Sequence, residues 1–474
     1  MEKTEKFYIT TAIDYINAKP HIGHAYEKVA ADVLARFYAE KIGRDRVRFL
    51  TGTDEHGAKI AKAAEEAGQP IEDFARETAA KFSFAWQELN INPDRFIRTT
   101  DADHIKNVEE LLVKIKDNGH LYEGEYSGYY CTSCEAFYSD TEASEHICPV
   151  HKTPLEFLKE KNWFLKISAF DAEIKKKIVN DELKIWPLAA KHEVLSWLKQ
   201  GFHDIAISRP NVKWGIPLPW DKEQTVYVWV DALINYLTGA KSQGLDWWPA
   251  DVHIIGKDIS KFHCIIWPAI LLAAGLKLPK QVVVHGYLTV GGEKISKSLG
   301  NVIDPNDWVA KYGADAVRYL LLREVPFGQD GDVSEEKLKS RYEGELANGL
   351  GNLVSRVTTL IEKYLDGKVK IDTNIFSNDE GFGEAVENFR FHEALAIAWQ
   401  WVAWGNKTVD ENKLWELGKS DLPKFKEISG QLASSIAFIA EKLKPFLPET
   451  SGKILEIITA EKISKAEPLF PRIS

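Results

Sequence analysis

Phe7-Tyr-Ile-Thr-Thr11, the segment Glu27 to Ile42, and Val47-Arg-Phe-Leu-Thr-Gly-Thr53 decide the fold. The first and third are short β-rich runs, and the second carries helical periodicity that stops at Gly43, a residue suited to a helix C-terminus. Strand, helix and strand with a long return predict the βαβ unit of a doubly wound parallel α/β sheet. Further along, His253-Ile-Ile-Gly256 and Val282-Val-Val-His-Gly286 read as buried strands separated by a helix-like stretch from Phe262 to Ala274, so the sheet is expected in two halves. Between the halves, from about Gly119 to Pro219, the sequence turns aromatic, Cys-bearing and Lys-rich, which suits a domain inserted at a crossover. After about Val333 strand signals vanish, and Leu350, Leu353, Val354, Val357, Ile361 and Tyr364 place an apolar stripe on one long helix ending at Gly367. The expected divisions are 1–118, 119–219, 220–286, 287–347 and a helical bundle over 348–474.

The composition, 45% apolar and 27% charged over 474 residues, excludes disorder as the main state. The longest nearly apolar run, Ile265 to Leu276, contains a proline and is well short of the roughly 20 residues of a membrane-spanning helix. Met1 to Lys6 carry no apolar signal core, which predicts a cytoplasmic protein. No dimerisation appendix is visible after the bundle, and a monomer is expected. The net charge of −10 means that a nucleic-acid partner would have to be held by local basic patches. Met1 is the only methionine, which reads as compositional bias or engineering.

Three motifs carry chemistry. Lys19-Pro-His-Ile-Gly-His24 sets His21 and His24 on one face at a helix start, where orphan N–H groups favour an anion and Gly23 allows close approach of a phosphate chain. By local spacing alone the pair also fits two incidental surface histidines. Lys294-Ile-Ser-Lys-Ser-Leu-Gly-Asn301 follows the glycine-rich turn Val290-Gly-Gly-Glu293, so Lys294 and Lys297 can act as mobile charges over pyrophosphate. Cys131-x2-Cys134 and Cys148-x2-His151 supply four ligands at zinc-knuckle spacing, with His146 as a competing fourth ligand; a closed Cys3His set predicts one structural Zn2+ per chain. Cys264 is left over and reads as a small core hydrophobe.

The first two motifs together resemble the signatures of class I aminoacyl-tRNA synthetases, with Ile295 where the second signature usually carries methionine. Tyr8-Ile-Thr-Thr, Tyr15-Ile-Asn, Thr51-Gly-Thr-Asp-Glu-His-Gly57, Tyr227-Val-Trp-Val-Asp-Ala232, Ile255-Gly-Lys-Asp258 and Val284-His-Gly-Tyr-Leu288 narrow the resemblance to the methionyl-tRNA synthetases. It runs from about residue 5 to residue 420. It implies a Rossmann-like catalytic domain split by the zinc-knuckle insertion, and a ligase using L-methionine, ATP with Mg2+, and tRNA(Met). Asp54 would meet the substrate ammonium, and Ile13, Tyr15, Trp229, Ala232, Tyr236, Phe262 and His263 would surround the thioether. A Tyr hydroxyl or His N–H could donate weakly to that sulfur. For ATP the resemblance implies His21, Gly23 and His24 at the phosphates, Glu27 on the adenine side, Asp258 at the ribose, Lys294 and Lys297 at pyrophosphate, and Gly256 also among the ATP-binding residues. In the bundle it assigns Asn352, Arg356 and Trp415 to the CAU anticodon; the spacing alone puts Asn352 and Arg356 opposite the apolar stripe, as on any solvated face. Asp14, where the family usually has an apolar or aromatic residue, and Leu233, where some members have proline, depart from the pattern.

Overall fold

The computed structural model describes residues 6–131, 136–138, 144–148, 152–242, 245–295, 300–372, 379 and 381–473. The chain forms two compact units: Met1–Pro20, Asp45–Phe84 and Pro93–His285 make the first, and His21–Arg44, Ala85–Asn92 and Gly286–Ser474 the second.

The first unit is built on a seven-stranded sheet of β1 (Phe7–Thr11), β2 (Asp14–Tyr15), β3 (Val47–Asp54), β4 (Arg95–Arg98), β5 (Lys184–Trp186), β6 (Val252–Gly256) and β7 (Gln281–His285). Every pairing is parallel. β1 runs along the first half of β3 from Phe7↔Val47 to Thr10↔Leu50, and β2 joins its end through Asp14↔Thr53 and Tyr15↔Asp54. β6 lies beside β1, β7 beside β6, and β5 beside β7. All residues of β1, β3 and β6 are buried, as expected of parallel strands covered on both faces, which is why they read as near-continuous rather than alternating runs. Gly52 is required within β3: a Cβ there would sit 1.9 Å from the Ile97 carbonyl oxygen of β4.

Within the stretch expected as an insertion lies a four-stranded antiparallel sheet, in which Leu121–Cys131 pairs with Glu156–Leu165 over ten registers and with Ala136–Tyr138. One part of that stretch does not belong to it. β5, with Lys184↔Gln281 and Trp186↔Val283, forms the edge of the main sheet. Three residues in Lys-rich surroundings are too few for a readable period.

In the second unit α1 spans Ile22–Ile42, beginning five residues before the periodic segment because His21 caps it. Helices α2 (Ala102–Asp117) and α3 (Val228–Ala240) belong to the first unit; α4 (Ala314–Glu324), α5 (Asn352–Leu365), α6 (Phe391–Glu411), α7 (Leu422–Leu443) and α8 (Pro448–Ile458) belong to the second. The expected stripe is buried at Leu350, Leu353, Val354, Val357 and Ile361. Arg318 of α4, 1% exposed, ties the unit together. Its Nη2 lies 2.7 Å from Asp32 Oδ2 of α1, and it donates to the carbonyls of Leu89, Pro445 and Phe446. Such a buried cation is tolerable because each of its three nitrogens has an acceptor and one of these is a carboxylate. Among the described residues no helix is long and apolar enough to cross a membrane.

Candidate active site

In the first unit Asp54 closes β3, buried and beside Tyr15 in register. Helix α3 places Trp229, Ala232 and Tyr236 at i, i+3 and i+7, hence on one face. Phe262 stacks on Trp229 with centroids 3.9 Å apart and planes 11° apart. Ile13, Tyr15, Trp229 and Phe262 all pack on the apolar core that contains Tyr236. His263 is the polar end of this group. Its Nδ1 is 3.0 Å from the Ile259 carbonyl, which can only accept, so Nδ1 carries the proton; in the neutral ring Nε2 then accepts from the Tyr236 hydroxyl at 2.7 Å. Both protons are therefore spent inside the wall, and neither is offered to a sulfur. Behind Tyr236, His253 is also neutral: burial, followed by the nearby His263, drives its pKa well below the usual value. At the end of β6, a Cβ on Gly256 would meet Asp258 Oδ1 at 2.8 Å, so the glycine leaves room for that carboxylate.

In the second unit His21 and His24 stack at 3.7 Å. The backbone N–H of Gly23 donates to His21 Nδ1 and that of His21 to His24 Nδ1, a reciprocal cap on α1. With both Nδ1 atoms accepting, each neutral ring carries its proton on Nε2. Burial, then the Lys28 ammonium, lowers the His21 pKa to about 4; burial, then His21 and Lys28, drives that of His24 well below the usual range. The helix start thus presents two neutral Nε2–H donors. A Cβ on Gly23 would lie 3.7 Å from Ile295 Cδ1, which puts the second signature beside the first. Glu27 is buried and paired with Lys28 at 3.2 Å. Lys294 is exposed, its Nζ 4.4 Å from the Tyr287 ring centroid. Lys297 lies outside the described residues.

The three bundle residues gather on one surface. Trp415, 41% exposed, lies 5.9 Å from the Arg356 guanidinium, and Asn352 is one turn before Arg356. Asn352 and Arg356 already have intramolecular partners. Asn352 donates to Asn406 at 3.1 Å, and Arg356 to Asp410 at 2.5 Å. Of the zinc set, Cys131 and Cys148 are buried and not in a disulfide, whereas Cys134 and His151 lie outside the described residues. His146 accepts from or donates to Tyr129 Oη at 3.0 Å and stacks on that ring. Cys264 is buried, and burial pushes its thiol pKa up, as suits a bystander.

Two features carry no signal in the sequence. Asp332 accepts from the backbone N–H of Gly292 at 2.7 Å and so fixes the turn that leads to Lys294; that bond, above all, lowers its pKa. Asp231 accepts from His56 and His104, partners 175 and 127 residues away.

A family model for class I tRNA synthetases (M) matches residues 7–156 and 141–358. The methionine–tRNA ligase of Thermotoga maritima is 41% identical over 98% of this chain and 77% of its own length, and that of Clostridium acetobutylicum 41% over 100% and 79%. The structure of Mycobacterium tuberculosis methionyl-tRNA synthetase in complex with methionyl-adenylate superposes with a TM-score of 0.92 at 37% identity, covering 99% of this chain and all of that one. The chain belongs to the methionyl-tRNA synthetases of class I.

Proposed function

We propose that the chain is a methionine–tRNA ligase: the methionine carboxylate attacks the α-phosphorus of ATP, pyrophosphate leaves, and a hydroxyl of the terminal adenosine of tRNA(Met) then takes the methionyl group from the adenylate, releasing AMP. The observation that carries it is the pair of stacked, neutral Nε2–H donors capping α1 beside Ile295 of the second signature. Donors preformed at a helix N-terminus bind phosphate oxygens without taking up a proton, and need no reorganisation as negative charge moves onto the leaving group. Lys294 and Lys297 then neutralise pyrophosphate, and Mg2+ accompanies ATP. Glu27 serves the adenine side and Asp258 the ribose, with Gly256 also binding ATP. Asp54 pairs with the methionine ammonium, while Ile13, Tyr15, Trp229, Ala232, Tyr236, Phe262 and His263 form the thioether wall. No covalent enzyme intermediate is required, so positioning and electrostatics supply the rate.

Asn352, Arg356 and Trp415 read the CAU anticodon. A guanidinium above an exposed indole suits stacking and edge contacts with unpaired bases. Cys131, Cys134, Cys148 and His151 hold one structural zinc. Two buried cysteines, one ending a hairpin strand opposite Ala136, are donors of the right softness for it. Elemental analysis of freshly purified protein should find one zinc per chain; none would remove the zinc from this reading. The division into 1–118, 119–219, 220–286, 287–347 and 348–474 stands as the functional division, with the protein a cytoplasmic monomer, which light scattering checks.

The deciding experiment is ATP–pyrophosphate exchange with methionine, homocysteine, norleucine, leucine and cysteine. Methionine should lead. Leucine or cysteine outrunning it would overturn the substrate, and no exchange with any of them would leave an RNA-binding relative without activity.

A further inference from the structure

The Asp231 carboxylate is fully buried in the first turn of α3, one residue before Ala232 and two after Trp229. One oxygen is 2.7 Å from His56 Nδ1 and the other 2.8 Å from His104 Nε2. Burial disfavours its charge, but the two imidazoles outweigh that and hold its pKa below the ordinary range. An ionised carboxylate only accepts, so both facing ring nitrogens carry protons. The arrangement continues from His104 to the end of α3 and Lys241. His104 Nδ1 lies 3.1 Å from Thr238 Oγ1, which accepts from Asn107, and Asn107 in turn accepts from Lys241.

His56 is two residues after Asp54, in the turn that follows β3. That turn is held on its other side as well: Glu55 accepts two hydrogen bonds from Arg98 and one each from Thr53 and Thr100, and Trp214, edge-on to the His56 ring, donates to the Glu55 carbonyl. None of these side chains belongs to the thioether wall. Asp231 nonetheless adjoins Ala232 and lies two residues from Trp229, Thr238 lies two residues from Tyr236, and His56 lies two residues from Asp54.

We propose that Asp231, clamped by His56 and His104, is a positioning residue for methionine that fixes the spacing between Asp54, at the end of β3, and Trp229 and Ala232, at the start of α3. The carboxylate bridges the two segments that must meet the ends of the amino acid, its ammonium and its side chain. A shift of one against the other misplaces one end whenever the other is bound. Loss of the clamp therefore weakens methionine more than ATP, and weakens methionine and its shorter or longer analogues unequally.

The proposal rests on the assignment of Asp54 and α3 to the methionine pocket. Its test is exchange kinetics on the full chain with Asp231→Asn, His56→Ala, His56→Asn, His104→Ala, His104→Gln and, as control, Asp54→Ala. Asp231→Asn and the two alanine variants should raise KM for methionine by about tenfold and change the norleucine-to-methionine ratio, with KM for ATP within about twofold, because misplacing a bound group by a fraction of an ångström is costly. The amide of Asn coincides with Nδ1 of His, and that of Gln with Nε2. His56→Asn and His104→Gln should therefore restore KM for methionine to within about twofold. A merely structural role would lower the melting temperature and the active fraction, leaving both KM values and the analogue ratio unmoved in the molecules that remain folded. That result, or failure of both amide variants to rescue, would overturn the proposal. If Asp54→Ala also leaves KM for methionine unchanged, the pocket assignment falls with it; if Asp54→Ala raises it and the clamp variants do not, only the clamp falls.

Discussion

The thioether wall and the start of α1 use the same side chain for opposite ends. At His263 one nitrogen donates to the Ile259 carbonyl and the other accepts from Tyr236, so the ring has nothing left to offer and the wall stays apolar. At His21 and His24 the Nδ1 atoms accept from backbone N–H groups, which puts the proton of each neutral ring on Nε2. Which nitrogen the backbone occupies decides whether a buried histidine is a piece of hydrophobic surface or a phosphate donor. On the proposed assignment, methionine is selected by shape and dispersion, and ATP by preformed dipoles with lysines added.

The sharpest way to break this contrast is at the phosphates. Lys297→Ala should lower adenylate formation by about 10²–10³, as loss of a transition-state donor does, while methionine binding is kept. A matched loss of methionine affinity would remove Lys297 from the leaving-group role. On the amino-acid side one charge matters: Asp54→Ala should raise KM for methionine by on the order of 30-fold or more, since an ammonium loses its buried partner. An unchanged KM would mean that the ammonium is held elsewhere.

Trp415→Ala and Arg356→Ala should weaken tRNA charging by roughly 1–3 kcal/mol each, the scale of one lost base stack, with exchange unchanged. The Arg356 effect should be the smaller, because its partner Asp410 must be given up before a base is contacted. Equal loss of exchange would make both residues servants of the bundle.

Acid should act on the start of α1 in a stated direction. The folded pKa values of His21 and His24 lie below that of a free histidine, so the unfolded chain takes up protons first. Their contribution to stability is full near pH 7 and falls as the pH drops from about 6.5 through about 4. Melting temperatures across that window should decline, while exchange per folded molecule holds to about pH 5. A kcat limb near pH 6.5 would show that a histidine must be deprotonated from an ordinary pKa, against the capped geometry.

How much of this was legible depended on whether the partners were close in sequence. β1, β3, β6 and β7 could be read because a strand buried on both faces is apolar throughout, and the histidine and lysine signatures because local spacing carries their chemistry. β5 was not, being three residues long. The periodicity of α1 is legible only from Glu27, but Pro20 and the paired histidines mark the helix start, where His21 stands in for the usual Ser or Asp cap. Asp231 and His56 both fall within motifs, yet nothing local says that they touch. The sequence names a Tyr hydroxyl and a His N–H as donors for a thioether; it cannot say that each already has an acceptor.

Tyr236→Phe tests that last point and should show the smallest effect on selectivity. Removing the hydroxyl leaves His263 Nε2 buried without its donor, which costs about 1–3 kcal/mol of stability. If the hydroxyl proton is spent on His263, methionine gains nothing from it that norleucine lacks, since the two differ by sulfur against methylene at similar volume. The ratio of kcat/KM for methionine over norleucine should then move by less than about twofold, within what dispersion alone would change in such a pocket. A tenfold collapse of the ratio would mean that the ring of His263 turns on binding and frees the Tyr236 proton for the thioether, and the wall would then have to count as a polar reader of sulfur after all.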